Sequence, residues 1–226
     1  MGLASTLDKF EKRLRKKYNV DPSVPGNERK AHIYNLYFDH AFLRTLWTNF
    51  FEIAPGVYRS NHPTHARFEA MRDMGIVSVL NLRGASHTAH YLTEKKSCDD
   101  LGLKLKSAAL SARSAPSRSH IQAVLEAFRT IEKPFVMHCK SGADRAGLAS
   151  AMYLMVIEGQ PLSEARKMLH WRYLHVRSTA TGVLDYILDC FEARQSRGEI
   201  SFEDWINTEY DADAINKAFK SKQPAQ

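Results

Sequence analysis

The chain has 226 residues and carries 32 Lys and Arg against 25 Asp and Glu, a formal charge of +7 at neutral pH. With 44% hydrophobic and 25% charged residues it sits within ordinary globular usage, which excludes a disordered or fibrous protein. The basic balance suits an anionic partner, whether phosphate, nucleic acid or an acidic membrane face. Three widely spaced cysteines (Cys98, Cys139 and Cys190) exclude a disulfide framework and point to a reducing compartment.

The first residues, Met1 to Tyr18, are charged throughout and do not read as a signal peptide. Met1-Gly2-Leu3-Ala4-Ser5-Thr6 fits a loose N-myristoylation pattern that many unmodified proteins share. Leu3, Leu7, Phe10, Leu14 and Tyr18 step by three or four, the stripe of an amphipathic and strongly basic helix. The stretch from Asp21-Pro22 to Pro25-Gly26-Asn27 breaks it as a linker. Residues 31–47 read as helical again and are rich in rings: Tyr34, Tyr37, Phe38, Phe42 and Trp47. Residues 1–49 form an N-terminal extension expected to pack on the domain. The alternative reading is peripheral contact with an anionic lipid surface, basic residues and rings meeting the headgroups.

From residue 50 short strands alternate with helices. Strands are expected at Phe51-Glu52-Ile53 and Val57-Tyr58-Arg59, around the turn Ala54-Pro55-Gly56. A helix follows from Pro63 to Met74, closed by Gly75. Ile76 to Leu82 reads as a buried strand, being short, β-branched and bounded by Gly75 and Gly84. A helix over 88–101, a strand from Leu103 to Ala109, a helix from Arg118 to Ile131 and a central strand Phe135-Val136-Met137 come next. Then follow a loop at 139–145, a helix from Ala146 to Glu158, and helices near 161–171, 180–195 and 201–209. The longest uncharged apolar run, Ala146 to Ile157, falls short of the roughly 20 residues that cross a bilayer. Alternating strands and helices predict an α/β domain at 50–197 with a mainly parallel sheet, followed by a C-terminal helix and tail at 198–226.

One segment carries the chemistry: His138 at a strand end, then Cys139-Lys140-Ser141-Gly142-Ala143-Asp144-Arg145, then an apolar helix. Ligands of open α/β sheets gather beyond the carboxyl ends of the strands, where helix N-termini also point. A loop there can aim its amides inward as an anion nest, aided by the helix dipole. Gly142 relaxes the backbone for that convergence. Arg145 supplies a planar fork for two phosphate oxygens. Cys139, held over the nest, is expected to ionise easily and attack phosphorus in line. Background frequencies put this combination at a chance of about 10⁻⁴ over three cysteines, which outweighs a buried thiol beside a solvated arginine.

His-Cys-x5-Arg between strand and helix resembles the signature of cysteine-dependent protein tyrosine phosphatases, and its surroundings resemble the dual-specificity branch. Val57-Tyr58-Arg59-Ser60-Asn61-His62-Pro63 is similar to that family's opening strand, and Gly75 to Arg83 to its first core strand. The resemblance covers about residues 50–195. It implies a phosphocysteine intermediate on Cys139, Arg145 clamping the transition state, and neither metal nor cofactor.

Two positions depart from the family pattern. A hydroxyl residue normally follows the arginine; here it is Ala146, with Ser141 as a substitute. The general acid is normally an Asp well upstream on a mobile loop, yet no Asp lies between Leu101 and Ala143. The corresponding stretch, Ser111 to Arg118, is basic instead. A leaving alkoxide needs a proton, so Asp144 is the expected acid, its Gly-x-Asp-Arg setting resembling myotubularin-type phosphoinositide phosphatases. A helix cap is the competing role for Asp144, and Asp99 and Asp100 are the fallback acids. His138 is expected to be a buried strand-end group bonding the loop, and Lys140 to meet a second anion or solvent. Arg113 and Arg118 are candidates for the pocket rim. His170, Trp171, Arg172 and His175 read as a packed helix surface without metal. Cys98 and Cys190 read as structural.

These residues predict a phosphomonoester hydrolase acting on phosphoprotein or a phospholipid headgroup, placed in the cytoplasm with peripheral contact at the inner membrane face through residues 1–49. The alternatives are a phosphate-reading module without turnover and RNA 5′-phosphatase chemistry on the same scaffold. No nucleic acid partner is expected, because no stacking motif accompanies the spread charge.

Overall fold

The computed structural model describes residues 13–14, 16–22, 24–35 and 47–225. Leu3, Leu7 and Phe10 of the N-terminal stripe, the acylation pattern, and Tyr37, Phe38 and Phe42 lie outside them. Five short strands form one mixed sheet in the order β1-β2-β5-β3-β4: β1 (Phe51–Ala54), β2 (Val57–Ser60), β3 (Ser78–Asn81), β4 (Lys104–Ser107) and β5 (Phe135–His138). Only the edge pair β1–β2 is antiparallel, folded around Gly56 at φ +72°. The other pairings are parallel, with β5 central between β2 and β3. The sheet is therefore mainly parallel, as the alternation of elements predicts.

Both faces of the sheet are covered, so its central strands are buried at every position. The period-2 alternation still assigns each side chain to a face. Leu80, Phe135 and Met137 join the larger core, against α4 (Arg118–Thr130), α5 (Asp144–Val156) and α7 (Val183–Gln195). Val79 and Val136 turn to the smaller one, against Phe68 and Met71 of α2 (His65–Asp73) and Cys98 of α3 (Ala89–Leu101). An N-terminal helix, α1 (Glu28–Ile33), lies on α3. Asn19 Oδ1 accepts a hydrogen bond from the Ala89 amide at 2.7 Å, and Asn35 Nδ2 donates to Thr93 Oγ1 at 3.0 Å.

The expected helix near 161–171 is instead one α-helical turn, α6 (Leu162–Ala165), continued by 3₁₀ turns at Arg166–Met168 and Trp171–Tyr173. Leu169 and His170 leave helical geometry between them and break the run. Beyond α8 (Phe202–Thr208) the tail forms a further helix, α9 (Ala212–Lys220), which the sequence reading missed. Its N-cap Asp211 accepts from the amides of Asp213 and Ala214. Phe202, Trp205, Ile206, Tyr210 and Ile215 belong to the larger core, so the last 30 or so residues pack as part of the domain. Among the described residues no helix is long and apolar enough to cross a membrane.

Candidate active site

The parallel strands β2, β5 and β3 end together at Ser60, His138 and Asn81. From that edge the chain passes through Cys139 to Ala143 and enters α5 at Asp144, two residues before the expected start. An acidic residue in the first turn suits the helix dipole.

The carbonyls of this loop are drawn outward one after another. His62 N–H donates to the Lys140 carbonyl at 3.2 Å, and Asn49 Nδ2 to that of Ser141 at 3.1 Å. One guanidinium nitrogen of Arg59 donates to the carbonyls of Gly142 (2.7 Å) and Ala143 (3.1 Å). A trans peptide holds its N–H opposite its carbonyl, so the amides of residues 141–144 turn to the other side, where that of Ala143 meets Ser141 Oγ. The sequence expects an anion nest at this place. Gly142 makes it possible: its φ is +71°, and a Cβ there would lie 2.6 Å from the Asn61 nitrogen. Cys139 is buried at the loop's root, 1% exposed. Arg145 follows in the first turn of α5, its Nε buried without a hydrogen-bond partner among the described residues.

Arg59 is fully buried, donates also to the Met168 carbonyl at 2.9 Å, and lies 3.9 Å over the ring of Tyr173. Burial pulls its guanidinium down to about 10, with Tyr173 and Cys139 working in the opposite direction, so it stays cationic at neutral pH. His138 is buried at the end of β5 as expected; its Nε2 meets Glu94 Oε1 at 2.5 Å, and Asn81 Nδ2 holds the other Glu94 oxygen at 2.9 Å. His62, Glu94 and His138 are the one group among the described residues with metal-ligand spacing, their ligand atoms within 4.8 Å of one another. Glu94 is already engaged by His138 and Asn81, and an Arg83 guanidinium nitrogen stands 3.3 Å from His62 Nδ1, a charge unfavourable to a second cation.

Asp144 does not cap its helix; no capping hydrogen bond is made there. Its Oδ1 lies 2.7 Å from Nδ1 of His175, whose Nε2 lies 2.7 Å from Oδ2 of Asp185. Burial lowers the proton affinity of the His175 imidazole, but hydrogen bonds to Asp144 and Asp185 outweigh it and raise the group to about 9. The reading of His175 as helix surface without an acidic partner is thus corrected: it is buried between two carboxylates. Sequence spacing hid this, because its partners lie 31 residues before and 10 residues after it.

The remaining candidates separate. Ser141 is exposed, and its Oγ accepts a 3.4 Å bond from the Ala143 amide; Lys140 is half-buried. Arg113 is exposed on the loop after β4. Arg118 is instead committed to the C-terminal helices, donating to the carbonyls of Asn207 (2.9 Å) and Tyr210 (2.7 Å). Asp99 and Asp100 face solvent on α3, each in an i,i+4 ion pair with Lys95 and Lys96. Cys98 is buried in the smaller core, where burial and the nearby Glu94 push its thiol up to about 12; Cys190 is buried in the larger core. Arg59, Asn49, His62 and Glu94 escaped the sequence reading as site residues. The visible signal was Arg59, the one charged residue of the inner strand β2.

Residues 54–160 match a family model described as Tc-R-P, a polymorphic toxin system phosphatase of the dual-specificity and protein tyrosine phosphatase kind. No curated protein matches the chain by sequence. Solved structures similar to it include a candidate phosphatase of Shewanella putrefaciens, at 17% identity and TM-score 0.52 over 65% of this chain and 90% of that one. Another is a cysteine-to-serine variant of P. aeruginosa TpbA in complex with phosphotyrosine, 17% identical, TM-score 0.50, covering 76% and 91%. A third is the catalytic core of the PP-IP phosphatase Siw14 from S. cerevisiae, in complex with citrate, 17% identical, TM-score 0.50, covering 77% and 93%. These likenesses agree on the fold, and the family match spans the strand, loop and helix that carry Cys139 and Arg145. Residues 54–160, a little under half of the chain, are therefore similar to phosphatases of the dual-specificity and protein tyrosine phosphatase kind and share their fold.

Proposed function

We propose that the protein hydrolyses phosphomonoesters through a phosphocysteine intermediate, on phosphoprotein or a phospholipid headgroup. The observation that carries this reading is the loop between β5 and α5, whose carbonyls are held outward by Arg59, Asn49 and the His62 amide. The inward amides and the dipole of α5 then form a preorganised seat for the equatorial phosphate oxygens. The Cys139 thiolate attacks phosphorus from the root of the seat, and the guanidinium of Arg145 binds the charge that spreads over those oxygens in the transition state. The leaving oxygen takes a proton from Asp144, and water then releases phosphate from the cysteine with Asp144 as base. Ala146 offers no hydroxyl to ease the second step, so breakdown of the phosphocysteine is the slower half of the cycle.

Cys139→Ser should abolish turnover of every phosphomonoester. In kcat/KM, which reports formation of the phosphocysteine and not its breakdown, Asp144→Asn should slow an alkyl phosphate about 10²-fold or more and leave an activated aryl phosphate nearly unchanged, because nitrophenolate leaves without a proton. Equal losses on both would remove Asp144 from the acid role. A panel of phosphopeptides, phosphatidylglycerophosphate and phosphoinositides, with and without residues 1–46, separates the substrate classes while keeping Asn49 on the loop.

A further inference from the structure

Asp144 is joined to a second titratable side chain that the phosphatase reading does not use. His175 has 1% of its side chain exposed, and each ring nitrogen meets a carboxylate oxygen at 2.7 Å. Asp185 on α7 is 6% exposed and Asp144 on α5 is 20% exposed, so Asp144 is the most accessible of the three, one residue before Arg145. A buried histidine is more often neutral and bonded to backbone or water; an imidazole clamped between two carboxylates holds both its protons.

We propose that His175, anchored by Asp185, stores the proton that Asp144 delivers to the leaving group. The inference rests on the reading of Asp144 as the acid and adds where its proton resides. In the first half-reaction the Nδ1 proton of His175 crosses to Asp144 Oδ1, and the carboxylic acid so formed gives it to the leaving oxygen as the phosphorus–oxygen bond breaks. His175 is left neutral with Nε2–H on Asp185. In the second half-reaction water attacks the phosphocysteine and loses a proton to Asp144, which returns it to His175 Nδ1. Over one cycle the three side chains regain their starting protons, and no outside acid is consumed.

His175 is a positioning residue here, acting through Asp144. The titratable groups around it are Asp144 on α5, Asp185 on α7, and Arg166, Lys167, His170 and Arg177, which line the groove of about 610 Å³ that also borders His175 and Asp185. Arg166 is tied to Asp189 and Glu192, Arg177 to Asp189, and Lys167 to Glu164, so most of this positive charge is already answered. The two carboxylates in direct contact dominate.

The test is a pH profile of kcat/KM on glycerol phosphate beside para-nitrophenyl phosphate. In the native protein alkyl turnover should persist to near pH 9, far above the range of a lone carboxylic acid, matching the raised His175. His175→Asn should bring that basic limb down toward about pH 4–5, where an ordinary carboxyl loses its proton. Read as kcat/KM, which ends at departure of the leaving group, the alkyl value at pH 7 should then fall about 10²-fold, with the aryl value changed less than about 5-fold. Asp185→Asn should move the limb part of the way. If His175→Asn fails to fold, which lost aryl turnover would reveal, the Asp185→Asn limb decides the matter. Limbs that coincide in the native protein and the folded variants overturn the proton store while leaving Asp144 as acid. Equal alkyl and aryl losses in Asp144→Asn overturn the acid itself.

Discussion

At the scale of single residues, the catalytic loop is shaped by what holds its oxygens. Arg59 has no part in covalent chemistry, yet it donates to the Gly142 and Ala143 carbonyls from a fully buried position. Arg59→Met would leave the Gly142 carbonyl buried without that donor, at about 1–3 kcal/mol, whereas the Ala143 carbonyl keeps the Gly147 amide at 3.0 Å. It should lower the thermal midpoint and reduce aryl phosphate turnover together, and chemical denaturation with steady-state kinetics reads both. Gly142→Ala attacks the same geometry from the other side. An alanine pays about 1–2 kcal/mol for a left-handed backbone and sets its methyl against the Ser60–Asn61 peptide. Activity should fall more than stability, because the loop can relieve the clash only by moving its amides. The heptapeptide from Cys139 to Arg145 was legible because its chemistry is local. Its supports were not: Arg59 is 83 residues from Gly142 and Asn49 is 92 from Ser141, and nothing in one sequence ties such pairs together.

At the scale of elements, the C-terminal helices do more than extend the chain. The loop after β4, where the family normally carries a mobile acid, is fastened by them. Tyr210 Oη donates to the Pro116 carbonyl at 2.6 Å, and the Ala115 amide donates to Asn216 Oδ1 at 2.8 Å. Arg118 adds its two bonds to the carbonyls of Asn207 and Tyr210. Phe202 meets Phe191 of α7 edge to face and Trp205 lies tilted against it within the larger core. Trp205→Ala should therefore cost about 3–5 kcal/mol, as a buried aromatic does, measured by urea unfolding of the full chain. An indifferent result would detach α8 and α9 from the fold. Strands and central helices were readable from periodicity and glycine stops, whereas α9 was not. Its capping Asp211 and apolar Ile215, Ala218 and Phe219 lie in a short polar stretch whose pattern gains meaning only against α7.

At the scale of the whole molecule, the buried His175 links stability to pH. Its proton affinity is raised from the ordinary 6.5 to about 9 in the folded chain. The contribution is fully present below pH 6.5, where both folded and unfolded chains are protonated, and is lost as pH rises through 9. The native protein should lose denaturant resistance between those two values, and His175→Asn should flatten that slope; a native protein equally stable at both would sink the account. The net charge of +7 suits an anionic substrate without selecting one.

The fastening of residues 115–118 has one more consequence. Where the family pattern places an acidic loop, this chain ties residues 115–118 to its own tail, and under the proposed reading its proton donor, Asp144, lies in the first turn of α5 instead. Selection then falls to the contour presented beforehand, and a phosphate that does not fit at entry gains nothing from waiting.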